Sequence, residues 1–362
     1  MPIPPYLHCL ELPTPFPVGP VNVYLAEGDP LTLVDTGPKA DITRAALESR
    51  LAAHGYGVED LRRIVLTHHH VDHIGLAAEL AQRSGAEIVT HPFTVPWLAD
   101  YAGEQARQHP FYLRIWEESG VPPEIIAAMT ESSGGLPRWT DPAAAMGCLL
   151  EGAALRMGED DWQVFHTPGH AGGLICLWEP ASRTLLANDH FIRDISSNPV
   201  LEPSPMMNGP RPRRLVEYLH HMDRMAALGP AVALPGHGEP VDDVAQLVRQ
   251  RHLFHDRRAR RLLETLDGQA LTLWELTQPL FPRLTRGMDF FLALSEVLGH
   301  LDMLEDAGLA QPQPHGPLRR WVRLEEGLRY TAANDSADCR RGAKIRMGPR
   351  SSASAFAISR GQ

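Results

Sequence analysis

Between Leu66 and Gly75 the chain reads LTHHHVDHIG, which places four histidines and one aspartate in six consecutive positions. Apolar RIVL precedes them and predicts a short buried strand. GLAAELAQRSG follows and predicts a helix closed by Gly85. The cluster therefore falls where a strand ends and a helix begins, the place where sites gather in layered α/β proteins. Side chains alternate along a strand, so His68 and His70 face one way and His69 the other, toward core or surface. As the chain turns into the helix, Asp72 and His73 swing toward the cavity that His68 and His70 face. Imidazole nitrogens with a carboxylate suit Zn²⁺ or another first-row divalent cation.

Three later apolar strands break in a similar manner. FHTPGH sets His170 in a Gly/Pro turn, LLAND ends on Asp189, and LPGHG ends on His237. Glycine at such breaks permits close backbone approach. The seven ligand-type residues His68, His70, Asp72, His73, His170, Asp189 and His237 are enough for two ions sharing a carboxylate. His166, inside its strand, is expected to pack or hydrogen-bond. His190 is read as either supporting the site or inert. Arg193 is read as meeting either an anionic substrate or solvent.

The remaining chain frames this cluster. Its 362 residues exceed one ordinary domain, and 43% hydrophobic content supports a real core. A net charge of -10 gives no sign of a polyanion partner. Cys9, Cys148, Cys176 and Cys339 stand apart, which argues against a zinc ribbon or a disulfide framework. The Pro-rich start lacks the basic and apolar segments of a signal peptide, and no apolar run is long enough to span a membrane. The expectation is a cytoplasmic protein.

Strands flanking Gly28-Asp29-Pro30 predict a hairpin over residues 21–35, and ADITRAALESRLAAHG predicts a helix. Strand–helix alternation on both sides of an insertion at about 93–142 predicts two β layers with helices outside them, in a domain over 1–240. Phe111, Tyr112 and Trp116 in the insertion either line an acyl pocket or pack at helical spacing. Residues 241–330 read as three helices and a closing strand pair, a winged-helix-like domain. From Gln246 to Tyr330 there are 12 Arg against 11 Asp plus Glu, a net of +1. That balance favours a lid or dimer-packing role over nucleic-acid binding. Residues 331–362 have no period and read as a disordered tail.

With Asp35 in VDTG, the HxHxDH run of His68, His70, Asp72 and His73, and then His170, Asp189 and His237 in order, the sequence resembles the metallo-β-lactamase-like hydrolase superfamily. The resemblance covers roughly Pro17 to Pro240 and implies an αββα sandwich with a binuclear site at one edge. It assigns one ion to His68, His70 and His170, and the other to Asp72, His73 and His237, with Asp189 bridging. It implies Zn²⁺, with Fe or Mn as alternatives, and a bridging hydroxide as nucleophile. Asp72 would orient that hydroxide, and Asp35 would accept a hydrogen bond from a ligand histidine. The C-terminal part resembles the branch that contains β-lactamase-like protein 2. The expected activity is hydrolysis of an ester or thioester of a small metabolite or acyl carrier. A single-strand endoribonuclease and a lactonase are the alternatives.

Overall fold

The computed structural model describes residues 3–324. The tail read as disordered from 331 onward lies outside the described residues. The first half builds a six-stranded sheet from β1 (Leu7–Leu12), β2 (Val21–Ala26), β3 (Thr32–Val34), β4 (Arg63–Leu66), β5 (Glu87–Thr90) and β6 (Gly147–Cys148), in that order. Strands β1 to β3 run antiparallel and β3 to β6 parallel. Parallel neighbours need crossovers, and helices supply them. These are α1 (Asp41–Ala53) before β4, then α2 (Val71–Ile74) and α3 (Ala77–Ser84) before β5. The predicted hairpin and both predicted helices are present. Gly85 ends α3 in the left-handed conformation, φ 73°, as a C-terminal glycine should.

The insertion folds as α4 (Val95–Ala99), α5 (Tyr101–Glu118) and α6 (Pro123–Gly134). A second sheet then forms from β7 (Ala154–Met157), β8 (Asp160–His166), β9 (Ile175–Glu179), β10 (Thr184–Asn188) and β11 (Val232–Pro235). Helix α7 (Arg214–Ala227) carries the crossover between the parallel strands β10 and β11. Every residue of β9 and β10 is buried, because both faces of these central strands are covered.

Three apolar clusters stack into an αββα sandwich. Tyr24, Val65, Trp162 and Leu177 pack between the sheets. Leu47, Leu51 and Leu80 close the first sheet from outside, and Tyr218, Met222 and Leu247 close the second. At one edge the sheets are stitched by polar contacts. Buried Tyr24 donates its hydroxyl to the Pro235 carbonyl at 2.6 Å, and Asn22 Nδ2 donates to the carbonyls of Pro235 and Gly238 at 3.1 and 2.8 Å. These bonds fix the turn that carries His237.

Beyond β11 lie α8 (Val244–Thr265), β12 (Ala270–Thr272), α9 (Leu273–Leu280), α10 (Gly287–Asp306), β13 (Ala310–His315) and β14 (Leu318–Arg323). The three expected helices and closing strand pair are there, together with β12, which the sequence reading did not separate. The Thr272–Glu275 capping box marks where β12 passes into α9, with Glu275 N donating to Thr272 Oγ1 at 3.2 Å and Thr272 N donating to Glu275 Oε2 at 2.8 Å. This region shares one core with the insertion: Phe111, Trp116 and Met129 pack with Leu262, Leu298 and Trp321. Among the described residues no helix is long and apolar enough to cross a membrane.

The contact between α6 and α10 depends on Gly287, where an added Cβ would lie 2.0 Å from the Ala128 carbonyl oxygen. Backbone cannot yield as a flexible side chain can. Gly287→Ala is expected to destabilise the chain by about 1–3 kcal/mol through overpacking, read as a lowered denaturation midpoint. An unchanged midpoint would show that the two helices do not pack this closely.

Candidate metal centre

The site starts from a bend. After β3 the chain passes through Asp35, fully buried and at φ 60°, a conformation that Asp tolerates better than most residues. Parallel pairing of β3 with β4 brings it beside Thr67. Asp35 Oδ1 accepts from Thr67 N, and Oδ2 accepts from Thr67 Oγ1 and His73 Nδ1, all at 2.8 Å. Because the Thr67 hydroxyl donates to Asp35, it accepts from His68 Nδ1 at 3.1 Å. Both His68 and His73 therefore carry their proton on Nδ1 and present a bare Nε2.

Backbone carbonyls do the same for two more rings. His170 Nδ1 donates to the Asn198 carbonyl at 2.9 Å, and His237 Nδ1 donates to the Pro20 carbonyl at 2.7 Å. These tautomers are assigned from the bonding network. His70 adds Nδ1, 3.0 Å from His68 Nε2 and 2.9 Å from His170 Nε2. One proton at most, on His70, is left for three converging nitrogens; a cation satisfies all three.

The carboxylates complete the set. Asp72 Oδ2 lies 3.5 Å from His237 Nε2. Asp189 follows Asn188, itself at φ 45°, and sits between the groups. Its Oδ1 is 3.5 Å from His73 Nε2, and its Oδ2 is 3.4 Å from His170 Nε2 and 3.7 Å from His237 Nε2. Three overlapping triads have ligand atoms within 4.8 Å of one another: His68, His70 and His170; His68, His73 and Asp189; Asp72, His73 and His237. The structure thus brings all seven sequence-identified residues together, with Asp35 behind them.

The donor chemistry fits a divalent cation. His73 Nε2 and Asp189 Oδ1 are buried with no hydrogen-bond partner, which is costly unless something else binds them. Gly236 leaves the room: a Cβ there would lie 2.2 Å from Asp189 Oδ1 and 2.9 Å from His73 Cε1. Burial, helped by the neighbouring His170, pushes His70 down to about 3, so it stays neutral. Burial works against the charge on Asp72, yet His73 and His237 hold its carboxyl at about 2. Asp189 is opposed by burial in the same way and is likewise held well below the usual carboxylate range, chiefly by His73 and His237. Against burial, Asp189 and its neighbours hold His73 and His237 above the usual imidazole range, so a cation binding there takes the place of their protons and leaves the carboxylate and neutral imidazole ligands that Zn²⁺ and its neighbours take.

A cavity of about 1020 Å³ opens onto this cluster, reached by His70, Asp72, His170, Asp189 and His237. Trp97, Tyr101, Tyr112, Trp116 and Met129 of the insertion and Phe291 of α10 wall it. Of the three insertion aromatics, Tyr112 and Trp116 line the cavity and Phe111 packs in the shared core. His69, in the turn after β4, belongs to none of the three triads; it lies buried against the cavity, stacked on Trp97 at 4.3 Å with its ring 4.8 Å from that of His70. His166 donates to the Gly172 carbonyl at 2.8 Å and stacks on His91. His190 is buried against Phe191 and Tyr218 and does not line the cavity. Arg193 is exposed beside Asp194.

Sequence reasoning missed Thr67, Glu202 and the carbonyls of Pro20 and Asn198. Glu202 lines the cavity, with Oε2 paired to Arg214 at 2.6 Å and buried Oε1 3.7 Å from His69 Nε2. Thr67, adjacent to the histidine run, was within reach of the sequence. The carbonyls were not, since any residue type supplies one.

Comparison with known proteins agrees with the geometry. The family model described as the Metallo-beta-lactamase superfamily matches residues 16–237. The chain is similar to the probable metallo-hydrolase YqjP of Bacillus subtilis, 34% identical over 303 residues that cover 82% of this chain and 91% of that protein. It is also similar to a beta-lactamase-like protein 2 homolog of Caenorhabditis elegans, at 23% identity over 86% of each chain. A crystal structure of a metallo-beta-lactamase family protein from Thermus thermophilus superposes with a TM-score of 0.74 at 31% identity, covering 89% of this chain and 99% of that one. With its sandwich, its clustered histidines and aspartates and these likenesses, the chain belongs to the metallo-beta-lactamase superfamily.

Proposed function

We propose that this metallo-hydrolase carries two divalent ions, Zn²⁺ in the first instance, and hydrolyses esters or thioesters whose acyl part is large and apolar. The observation that carries this reading is one cavity that joins the His/Asp cluster to an aromatic wall. His68, His70 and His170 would hold one ion and Asp72, His73 and His237 the other, with Asp189 reaching both. Ions bound there would acidify a water and polarise the scissile carbonyl.

The chain's own groups supply the rest. Asp72 lines the cavity beside the ligand nitrogens and is ionised, so its carboxylate can take the proton of the attacking water and aim its oxygen at the carbonyl carbon. The aromatic walls take the acyl chain out of water, which holds the ester over the cluster. We read the C-terminal helices and three-stranded sheet as a winged-helix-like lid, because Met288 and Phe291 of α10 form part of the wall. A lactone is a cyclic ester and would enter the same way. A polyanion is a poorer match: of the two arginines lining the cavity, Arg286 is engaged by Asp289 at 2.9 Å and Arg138 lies over the Trp139 ring.

Two outcomes test this reading. Metal-loaded protein is expected to release acid from a panel of acyl esters, thioesters and lactones, and to lose that activity on chelation. Asp72→Ala is expected to lower kcat by a factor of about 10² to 10⁴ while the ion at His68, His70 and His170 stays bound. Turnover of single-stranded RNA alone, or an Asp72→Ala protein as fast as the parent, would overturn the reading. Separately, Asp35→Ala is expected to weaken metal binding by about 10- to 100-fold in an equilibrium titration, since it frees the outer nitrogen of His73 and the Thr67 relay. Unchanged affinity would remove Asp35 from the supporting role.

A further inference from the structure

The loop from Asp189 to Asn198 leaves the second sheet with a metal-type aspartate at one end. At its other end the Asn198 carbonyl orients His170. Phe191 anchors the start of the loop in the core behind the second sheet, but Arg193, Asp194 and Ile195 at its tip are exposed. Helices α8 and α10 hold that part.

Arg251 of α8 extends its guanidinium under the loop, and Nη2 donates to the carbonyls of Ile192, Arg193 and Ile195 at 2.7, 2.9 and 2.8 Å. One turn further along α8, His255 Nε2 lies 3.1 Å from Ser196 Oγ. The direction of that bond follows from the next ring. His300 of α10 donates Nδ1 to the Glu296 carbonyl at 2.7 Å, which leaves its Nε2 bare. His255 Nδ1 therefore donates to His300 Nε2 at 3.1 Å, and His255 Nε2 accepts from the Ser196 hydroxyl. Both rings are fully buried. Although His255, Glu296 and His300 are close enough to hold an ion, the Glu296 carboxylate is taken by Arg258, and the trio works as a hydrogen-bond chain. Further along the loop, Ser197 Oγ donates to the Asp189 carbonyl, and Asn198 Nδ2 donates to the Leu292 carbonyl of α10 at 2.9 Å.

We propose that α8 and α10 clamp the 189–198 loop through Arg251, His255 and Asn198, and that this clamp sets the orientation of His170 as a ligand. Arg251 is the principal positioning residue. Its Nη2 has two N–H groups for three carbonyls, so at least one N–H is shared, and the guanidinium charge strengthens the set. The C-terminal region then builds the metal site from behind as well as walling the cavity. This inference rests on the two-ion reading, and a metal titration separates the failures: parent protein that binds no ion defeats that reading, whatever the variants do.

The test is a calorimetric zinc titration of the full metal-free chain. Arg251→Met keeps the aliphatic stem and removes the donors. It is expected to weaken one of the two ions, that at His68, His70 and His170, by about 10- to 100-fold, as loss of an outer partner does, and to leave the other near its parent affinity. Arg251→Lys should recover part of the loss. Far-UV circular dichroism of the metal-free variants reports whether they fold. A folded Arg251→Met protein that binds both ions as the parent does overturns the clamp, and so does one that weakens both ions equally. If Arg251→Met does not fold, Asn198→Ala decides in the same titration. It cuts the tie to Leu292 and keeps the carbonyl, so selective weakening of the same ion supports the clamp and parent-like binding of both ions overturns it.

Discussion

One buried carboxylate organises the metal end of this molecule. Asp35 accepts three hydrogen bonds at 2.8 Å, two from Thr67 and one from His73, and through the Thr67 hydroxyl it also sets the ring of His68. Charge-assisted bonds of this kind are about twice as strong as neutral ones, and three of them offset the burial of the charge. The geometry requires Asp35 to leave β3 with positive φ, a local cost of about 1–3 kcal/mol that surrounding structure must over-determine. The parallel β3–β4 ladder does so, with Asp35 N donating to the Val65 carbonyl at 2.8 Å. Strand pairing thus fixes which nitrogen of two histidines faces the cavity.

The remainder of the site is a meeting of two sheets. The turn after β4 brings His68, His70, Asp72 and His73; turns after β8, β10 and β11 bring His170, Asp189 and His237. Neither half satisfies its donors alone. Bonds from Asn22 and Tyr24 to the β11 turn hold the halves in register, and Gly236 lets Asp189 and His73 approach. Converging lone pairs and unpartnered buried atoms are unfavourable in an empty site, so a bound cation stabilises the folded chain through its own binding free energy.

Much of this was legible in the sequence because the residue types carry the chemistry. A histidine or aspartate that interrupts an apolar run is conspicuous, whereas strand alternation does not reach His69: β4 ends at Leu66, and His69 stays out of the triads yet lines the cavity. The two sheets with outer helices were legible because each element shows its own period. The supports behind the ligands were not. Pro20 and Asn198 act through carbonyls, and their partners lie 217 and 28 residues away along the chain. Nor does any local pattern reveal that the insertion and the C-terminal helices share a core, since helical spacing alone does not say which faces meet. That is why Phe111, Tyr112 and Trp116 read alike in sequence and divide in the fold between packing and cavity wall.

The charge balance of the C-terminal region takes on meaning once its arginines are placed. Arg251 is engaged by loop carbonyls and Arg258 by Glu296, while Arg320 pairs with Glu275 at 3.0 Å. From the preceding segment, Arg211 pairs with Asp302 of α10, and Arg213 reaches Glu305 at 2.6 Å. Part-exposed pairs such as Arg213–Glu305 and Arg320–Glu275 contribute little to stability one by one, whereas Asp302 and Glu296 are carboxylates shielded from water whose charge needs its arginine. Arg251 differs: it ties three uncharged carbonyls of one loop to α8, two of them at exposed residues. A nucleic-acid surface would need such cations free and facing outward. Those five instead face loops and acidic partners, while Arg249, Arg257 and Arg261 of α8 lie exposed; α10 walls the cavity, and α8 and α10 together hold the His170 loop. Substrate space and ligand geometry therefore meet in α10, so a change that reshapes the wall through α10 also moves the chain that orients His170.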